Sequence, residues 1–367
     1  MLQPKEGRID GAHYLPTTPD TCLWGRLPNR DRPPVLRIAS GDTVTIDTLS
    51  HEGILEDQGR DPDAYLARFG VPGERILSDA RALAASGVPH DYDEDGPHVV
   101  TGPIEVTGAE PGDVLRVETL SLLPRAPYGF ISSRHGYGAL PGEFPETVPD
   151  SGPARDGGVR AYNSVCTFTE VVERDGRPHG VLPYGDGRAA HFPLAPFLGL
   201  MGVATDTADP VHSVPPGDFG GNLDVNELQA GSSLYLPVQV PGASFYTGDP
   251  HYAQGDGEVA LTALEAPLRA TLRLTVIPRT EAAALLGALG EPFAETRTHW
   301  LPLGLHEDLD EAMRRAVRAA VGFLAATQGM PRHTALAYLS AAADFEISQV
   351  VDGVKGVHCL IRKADFR

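Results

Sequence analysis

Cysteine is scarce in this sequence, and the three residues present, Cys22, Cys166 and Cys359, lie far apart. They form no Cys-x-x-Cys motif and do not stand at the Cys/His spacing of a structural zinc site. A disulfide framework is therefore not expected, and a reducing compartment suits this composition.

Long apolar runs and basic segments are also lacking. No segment approaches the roughly 18 consecutive apolar residues of a membrane-spanning helix. Residues 1–20 carry charges and prolines where a secretory signal needs an apolar core. The net charge of -19 repels nucleic-acid phosphates and anionic lipids, and no Lys/Arg-rich run reverses it locally. We expect a cytoplasmic protein whose partners include neither nucleic acid nor membranes.

Glycine and proline, in contrast, are abundant, with 41 and 33 residues that follow no short period. This predicts many turns between short strands. The content of hydrophobic residues (41%) and charged residues (22%) is that of a globular protein. The 367 residues exceed the usual size of one core, yet no linker divides them. We therefore predict a single composite domain over residues 1–367.

One short phrase recurs at residues 40–46, 110–117 and 230–236. Each copy is a glycine-containing turn followed by residues that alternate between apolar and polar. The alternation places one face of each strand on a core, so the three copies predict related strands of a β framework. This pattern argues against a doubly wound nucleotide-binding fold.

The pattern changes near residue 279. Helical spacing appears at residues 281–289, 305–324 and 331–343, followed by strand-like runs at 345–351 and 357–361. We therefore predict a strand-rich α+β fold, with a β-rich core over roughly 1–278 and an α/β portion over 279–367.

Upstream of residue 279, Asp61 and Pro62 are typical of a helix start. Residues 119–160 show little periodicity, which predicts a long ordered loop that passes over the core.

The densest polar segment spans residues 249–258. Asp249, His251 and Glu258 offer oxygen and nitrogen ligands to a divalent cation, and the two glycines allow close approach of the backbone. This predicts a metal or catalytic site. The alternative is a polar surface loop between strands.

A second polar phrase lies at residues 217–224, where Gly220 and Gly221 precede Asn222 and Asp224. Its backbone N–H groups are candidates for binding an oxyanion. A hairpin through the strand at 232–240 would return this phrase to the edge that carries residue 249. His98, just before another predicted strand, is a further candidate, with a structural role as the alternative.

These segments together resemble the acetamidase/formamidase family. The resemblance is carried by residues 101–103 with 108–113, and by 193–204, 220–224 and 248–259, and it spans most of the chain. The motifs Gly-Gly-Asn-Leu-Asp and Asp-x-His-x-x-Gln-Gly-Asp-Gly-Glu are long and occur in the family's order. The resemblance implies a β-sandwich-like core with an intimately packed α/β portion.

The resemblance further implies hydrolysis of short aliphatic amides to a carboxylate and ammonia, with a bound divalent metal. We predict zinc as the ion, with calcium as the alternative. The predicted metal ligands are Asp224, Asp249 and His251. The predicted catalytic residues are Glu258, Asp256, Asn222 and Gly221, and the predicted substrate-binding residues are Gly220, His98 and Gln254. Glu258 or Asp256 would protonate the leaving nitrogen, and the glycines with Asn222 would stabilise the oxyanion.

Three alternatives remain at this point. A cysteine or serine nucleophile lacks a supporting motif. A non-catalytic small-molecule binding protein with a structural calcium would have no use for His251. A hydrolase or lyase for another small molecule is the third alternative, because one fold can host many chemistries. Two departures from the family pattern, at residues 51–61 and 119–160, would reshape the pocket and so bear on the identity of the substrate. We also expect a homo-oligomer.

Overall fold

The computed structural model describes residues 1–134, 136–146, 164–286 and 290–366. The strands within these residues are β1 (His13–Leu15), β2 (Cys22–Trp24), β3 (Leu36–Ala39), β4 (Thr43–Asp47), β5 (Val99–Thr107), β6 (Val114–Pro124), β7 (Tyr128–Arg134), β8 (Ser164–Arg174), β9 (Arg177–Gly185), β10 (Arg188–Pro193), β11 (Phe197–Val203), β12 (Gly220–Asn222), β13 (Ser233–Pro237), β14 (Phe245–Ala253), β15 (Leu264–Glu265), β16 (Leu268–Ile277), β17 (Phe293–Glu295), β18 (His299–His306), β19 (Asp344–Gln349) and β20 (Lys355–Arg362). The α-helices are α1 (Pro62–Ala67), α2 (Ser78–Ala84), α3 (Arg279–Leu286), α4 (Leu309–Gln328) and α5 (Arg332–Ala342).

The strands form two large sheets. One has the order β1-β4-β16-β6-β13-β17-β18-β20-β19, and the other has the order β10-β9-β8-β7-β15-β14-β11-β12. Strand β5 joins the second sheet through β14 and also pairs with β2 and β3. Buried side chains of both sheets share one core, in which Ile46 and Leu272 of the first belong with Met201 and Phe245 of the second. The predicted strand-rich α+β fold with a sandwich-like core is confirmed.

The three recurring phrases lead into β4, β6 and β13, and these strands lie in the same sheet. Burial alternates along residues 115–120 of β6, as predicted. In β4 and β13 consecutive residues are buried, so both faces of these strands are covered and the prediction of a single buried face was wrong there. The prediction for residues 119–160 was wrong for its first part. Residues 119–134 continue β6 and form β7, because the run of turn residues between them is short; residues 135 and 147–160 lie outside the described residues.

The C-terminal elements were predicted with few errors. Asp308 caps α4 by accepting a hydrogen bond from the N–H of Glu311, and Gly329 ends it in a left-handed conformation. Leu305, assigned to the same helical stripe, instead ends β18. Helix α3 covers part of predicted helix 281–289, of which residues 287–289 lie outside the described range.

The first sheet crosses the predicted boundary near residue 278. Strands β17, β18 and β20 extend the sheet that begins with β4 and β16. Helices α3, α4 and α5 pack on it through a second core that includes Phe293, Phe323, Leu324 and Ile361. Among the described helices none is both long and apolar enough to cross a membrane.

Helix α4 approaches β18 most closely at Gly304. A Cβ atom there would overlap the carbonyl oxygen of Ala312 and the amide nitrogen of Ala316. Gly304→Ala should therefore destabilise the protein by about 1–3 kcal/mol, the usual cost of overpacking. Gly322→Ala in α4 meets no neighbour within 4 Å and should stabilise by about 0.5–1 kcal/mol. Chemical denaturation of both variants checks this, and equal midpoints would contradict the close packing.

Candidate active site

The candidate site is built on β14 in the second sheet. Asp249 and His251 are two residues apart and therefore face the same side of the strand. Strand β15 pairs so that Glu265 lies opposite His251. The Nε2 atom of His251 is 2.9 Å from Asp249 Oδ2 and 2.9 Å from Glu265 Oε1. All three side chains are buried, so their charges are held away from water.

Gly199 of β11 makes room for this cluster. It lies across from residue 249, between the pairs Leu198 with Pro250 and Leu200 with Gly248. A Cβ atom at Gly199 would stand 2.6 Å from Asp249 Oδ2 and would also collide with the Asp224 carboxylate. Only glycine leaves the space in which these two carboxylates meet.

Three acidic residues of the site adopt left-handed backbone conformations. The φ angles are 51° at Asp224, 48° at Asp249 and 48° at Glu258. Such conformations cost non-glycine residues on the order of 1–3 kcal/mol each and persist where the surrounding structure imposes them. The fold therefore stores strain to aim these carboxylates at one point.

Gln254 fixes the orientation of His251. Its Nε2 donates to the carbonyl oxygens of Asp224 (2.9 Å) and Ser348 (3.1 Å), so its Oε1 is left to face His251 Nδ1 at 3.1 Å. An amide oxygen only accepts, so Nδ1 carries a proton. When the ring is neutral, Nε2 carries no proton, so its lone pair faces the carboxylates of Asp249 and Glu265. Nε2 therefore has no hydrogen-bond partner.

That arrangement requires a positive charge or a proton beside Nε2. Burial opposes protonation of His251, but the carboxylates of Glu265 and Asp249 raise its pKa well above the ordinary value. The same lone pair is also the form in which histidine binds a metal ion. Both explanations rest on the concentration of negative charge around this ring.

Two further imidazoles face the other oxygen of Asp249. His98 Nε2 is 3.7 Å and His51 Nδ1 is 3.8 Å from Asp249 Oδ1. Ser213 Oγ lies 2.9 Å from His98 Nδ1 and so leaves Nε2 of His98 directed at Asp249. His51 Nε2 faces Glu52 at 3.4 Å. Burial lowers the pKa of His98 to about 4, so its ring is neutral at physiological pH and available as a ligand.

Three carboxyl groups meet beside this cluster, those of Asp224, Glu258 and Asp352. Burial, with repulsion between neighbouring carboxylates, raises the pKa of Asp224 and Glu258 well above ordinary values. Burial is also the main cause that raises the pKa of Asp352 to about 8. Without a cation nearby, these groups hold protons at neutral pH.

The donor set fits a divalent cation. Buried polar atoms in native proteins nearly always have partners, and a cluster without them indicates an ion or a ligand. The site atoms that lack a hydrogen-bond partner are both ring nitrogens of His51, Oδ1 of Asn222, both carboxylate oxygens of Asp224, Oδ1 of Asp249, Nε2 of His251, Oε2 of Glu265 and Oδ2 of Asp352. Imidazole nitrogens and carboxylate oxygens suit zinc and related ions.

The cluster opens into a cavity of about 590 Å³. Its polar lining includes the site residues His51, His98, Asn222, Asp249, Glu258, Glu265 and Asp352, together with His90, Asp93, Asp95, Arg134 and His212. Apolar walls come from the segments at 55, 97, 137–141, 214–215, 261 and 351. A small molecule can thus reach the carboxylates and imidazoles on one side while its remainder contacts apolar surface.

The structure brings together most of the predicted site residues. Four of them line the cavity: His98, Asn222, Asp249 and Glu258. The cavity is also lined by residues that were not predicted, among them His51, Glu265 and Asp352. Asp224 and His251 belong to the buried cluster.

Four predicted residues lie elsewhere. Asp256 lies in the loop after β14, is exposed, and accepts a hydrogen bond from Asn226 Nδ2 at 3.1 Å. Gly220 already donates its N–H to the carbonyl oxygen of Gly217, so it cannot bind an oxyanion. Gly221 pairs with Met201 in the sheet, and Gln254 positions His251 from behind; neither lines the cavity.

Sequence reasoning missed His51, Glu265, Asp352 and Gly199. His51 begins the segment 51–61 that departs from the family pattern, which is the one signal that could have singled it out. Glu265 enters through the pairing of β15 with β14. Asp352 lies in the turn between β19 and β20. No local sequence pattern marks Glu265 or Asp352, because only the tertiary fold brings them to β14.

Comparison with known proteins places this geometry in context. Residues 199–361 match the sequence model of the Acetamidase/Formamidase family. Formamidase of Methylophilus methylotrophus is 29% identical over 198 residues, which cover 46% of this chain and 49% of that protein. Acetamidase of Mycolicibacterium smegmatis is 30% identical over 203 residues, covering 44% and 49%. The chain thus spans about half the length of these curated relatives in the matched region.

The fold comparison covers nearly the whole chain. The crystal structure of an acetamidase from Bacillus halodurans superposes with a TM-score of 0.70 at 25% identity, over 96% of this chain and 98% of that one. An acetamidase structure from Yersinia enterocolitica gives a TM-score of 0.71 at 24% identity, over 97% and 93%. The predicted resemblance and the predicted fold are both confirmed.

The role of Gln254 in aiming His251 predicts the effect of its loss. In Gln254→Leu the imidazole loses its partner at Nδ1, and with it the fixed position of Nε2 against Asp249 Oδ2 at 2.9 Å. The affinity for a divalent metal bound by Asp249 should therefore fall by about 10-fold, as for other groups that orient a ligand. Competition with a chromogenic chelator measures this. Gln239→Leu is the matched control, because Gln239 contacts Asp218 and the backbone of residue 206 instead of the cluster. Equal metal affinity in the two variants would contradict the assigned role.

Proposed function

We propose that this chain, in which residues 199–361 match the acetamidase/formamidase family model, hydrolyses the C–N bond of small linear amides. The products are a carboxylate and ammonia. The observation that carries the proposal is the buried set of imidazoles and carboxyls beside an open cavity, in which several polar atoms have no hydrogen-bond partner. Such a set can activate water and move protons in a site from which bulk water is largely excluded.

The residues best suited to hold a catalytic metal are His51, His98 and Asp249. Their ligand atoms lie within 4.8 Å of one another, and all three line the cavity. Two imidazoles and one carboxylate, with a side open to substrate, form a donor set typical of catalytic zinc. Zinc bound there would polarise the amide carbonyl and lower the pKa of a water molecule.

This assignment shifts the metal site from the set predicted by sequence. Asp224, Asp249 and His251 also form a cluster, but Asp224 and His251 do not line the cavity. Asp249 is shared by both sets, with Oδ1 towards His51 and His98 and Oδ2 towards His251. The presence of imidazoles favours zinc over calcium, which prefers oxygen ligands throughout.

Glu258 is the proposed general acid. It lines the cavity, and burial together with repulsion from neighbouring carboxylates raises the pKa of its carboxyl, so it holds a proton more readily than an exposed glutamate does. An amide nitrogen leaves only when it is protonated, so this proton has a defined use in the reaction. Glu265 also lines the cavity, and in its ionised form it can accept the proton that an attacking water releases.

Asn222 is proposed to orient the substrate. Its Oδ1 is buried, lacks a hydrogen-bond partner and lies at the cavity surface. A substrate amide offers the N–H donors that this oxygen lacks. Recognition of the NH₂ group by Asn222 would favour primary amides over esters.

The substrate range is proposed to extend beyond formamide and acetamide. A cavity of about 590 Å³ lies within the roughly 300–1,000 Å³ typical of drug-sized ligands. Its walls away from the carboxylates are largely apolar, including Leu55, Pro97, Val214 and Leu261. Amides with an aliphatic or aromatic substituent would bury that group against these walls.

The reaction is tested by ammonia release from formamide, acetamide, propionamide and benzamide. We expect release that stops on chelation and returns with zinc, and that is lost in His98→Ala. His191→Ala, on an exposed position of β10, is the control for histidine removal. Absence of ammonia with every amide and metal would favour a binding protein or a different substrate.

The choice between Glu258 and Asp256 as general acid has a separate test. Glu258→Gln should lower kcat by about 10²–10⁴-fold, the usual contribution of general acid catalysis. Asp256→Asn should stay near the wild-type rate, because Asp256 is exposed and outside the cavity. The reverse order of effects in amide-hydrolysis assays would reject this assignment.

A further inference from the structure

A second cluster of metal-ligand type lies outside the cavity, at the C-terminal hairpin. Strands β19 and β20 pair so that Glu346 stands directly opposite His358. Glu227, from the loop that follows β12, approaches the same imidazole. None of these three residues lines the cavity or contributes to the site around Asp249.

The geometry of this cluster resembles a coordination shell. His358 Nε2 is 3.0 Å from Glu227 Oε2 and 3.4 Å from Glu346 Oε2. Ligand atoms around a tetrahedral ion with bonds of about 2.0–2.2 Å are separated by roughly 3.4 Å. The contacts thus match ligand-to-ligand spacing.

The atoms that face each other in this cluster also lack partners. His358 is fully buried, and its Nε2 and Glu227 Oε2 have no hydrogen-bond partner. The other ring nitrogen, Nδ1, lies 2.8 Å from Ser348 Oγ and is therefore satisfied. A buried histidine with one nitrogen anchored and the other aimed at two carboxylates is the usual arrangement of a metal ligand.

We propose that Glu227, Glu346 and His358 bind a second divalent ion of the zinc type. The two glutamates are partly exposed, with 20% and 33% of their side chains accessible. The ion would therefore exchange with solvent and complete its coordination with water. One imidazole and two carboxylates suit zinc and disfavour calcium and magnesium.

Such an ion would help to fix the position of the segment that carries Gln254 and Glu258. Ser348, which contacts His358, also accepts hydrogen bonds through its carbonyl oxygen from Gln254 Nε2 at 3.1 Å and from the N–H of Gly257 at 3.2 Å. Gln254 in turn positions His251. Binding at the second site would thus tie the C-terminal hairpin to the segment that carries Gln254 and Glu258, which makes its role one of positioning.

The competing explanation is an imidazolium held by the two glutamates. Burial opposes protonation of His358, but the close carboxylates of Glu227 and Glu346 raise its pKa to about 9. That explanation requires no metal. The two differ in the amount of zinc that the protein retains, which does not depend on amide hydrolysis.

The test is zinc titration of the chelator-treated, full-length protein by calorimetry, with bound zinc counted by elemental analysis after dialysis. Glu346→Gln and His358→Gln should each lose one equivalent of zinc relative to wild type, and His98→Ala should keep that equivalent. Asp344→Asn, on an exposed position of the same strand, is the matched control and should bind as wild type.

Two results would overturn the proposal: an unchanged zinc count in Glu346→Gln, or loss of the same equivalent in His98→Ala but not in the hairpin variants. Glu346→Gln keeps the test valid if His358→Gln fails to fold, because Glu346 is partly exposed. Zinc should also raise the Tm of wild type more than that of Glu346→Gln, since a ligand stabilises only the state that binds it.

Discussion

The concentration of buried carboxyl groups around His251 is the constraint on which the rest of the site depends. Asp224, Asp249, Glu258, Glu265 and Asp352 are all nearly inaccessible to solvent. Transferring one unpaired carboxylate from water costs several kcal/mol, so five cannot remain charged without compensation. Protons, imidazolium or a bound cation must supply it. The raised pKa values and the unpartnered atoms are two consequences of this one condition.

The fold holds these carboxyl groups together by packing neighbouring strands closely. Strand β14 lies between β11 and β15, so that Asp249, His251 and Glu265 project from adjacent strands. Gly199 removes the side chain that would fill the space between them. The interactions of Gln254 then orient the imidazole without entering the cavity. A rigid two-sheet framework can hold like charges together because the core on both sides resists relaxation.

Sequence reasoning reached the sheet framework and half of the site, for identifiable reasons. The alternating residues of β6 carry their own period, and Asp308 with Gly329 marks the bounds of α4. Asp249 and His251 were found because they stand in one motif. Glu265 and Asp352 were not found, because their roles arise from strand pairing and a distant turn.

The errors follow the same logic. Asp256 shares the motif with Glu258, but the chain turns between them, and Asp256 faces solvent. Gly220 was predicted to bind an anion, but its N–H donates to the carbonyl oxygen of Gly217 within the same turn. A motif specifies which residues are near in sequence, and the direction of each side chain is set by the backbone that the tertiary fold imposes.

The most direct measurement of the central claim is anomalous diffraction at the zinc edge from crystals of zinc-loaded protein. The account predicts a strong peak within bonding distance of Asp249, bounded by the ring nitrogens of His51 and His98. Absence of any peak beside Asp249, with Nε2 of His251 instead paired to a protonated Glu265, would contradict it. In that case protons alone would balance the buried charge.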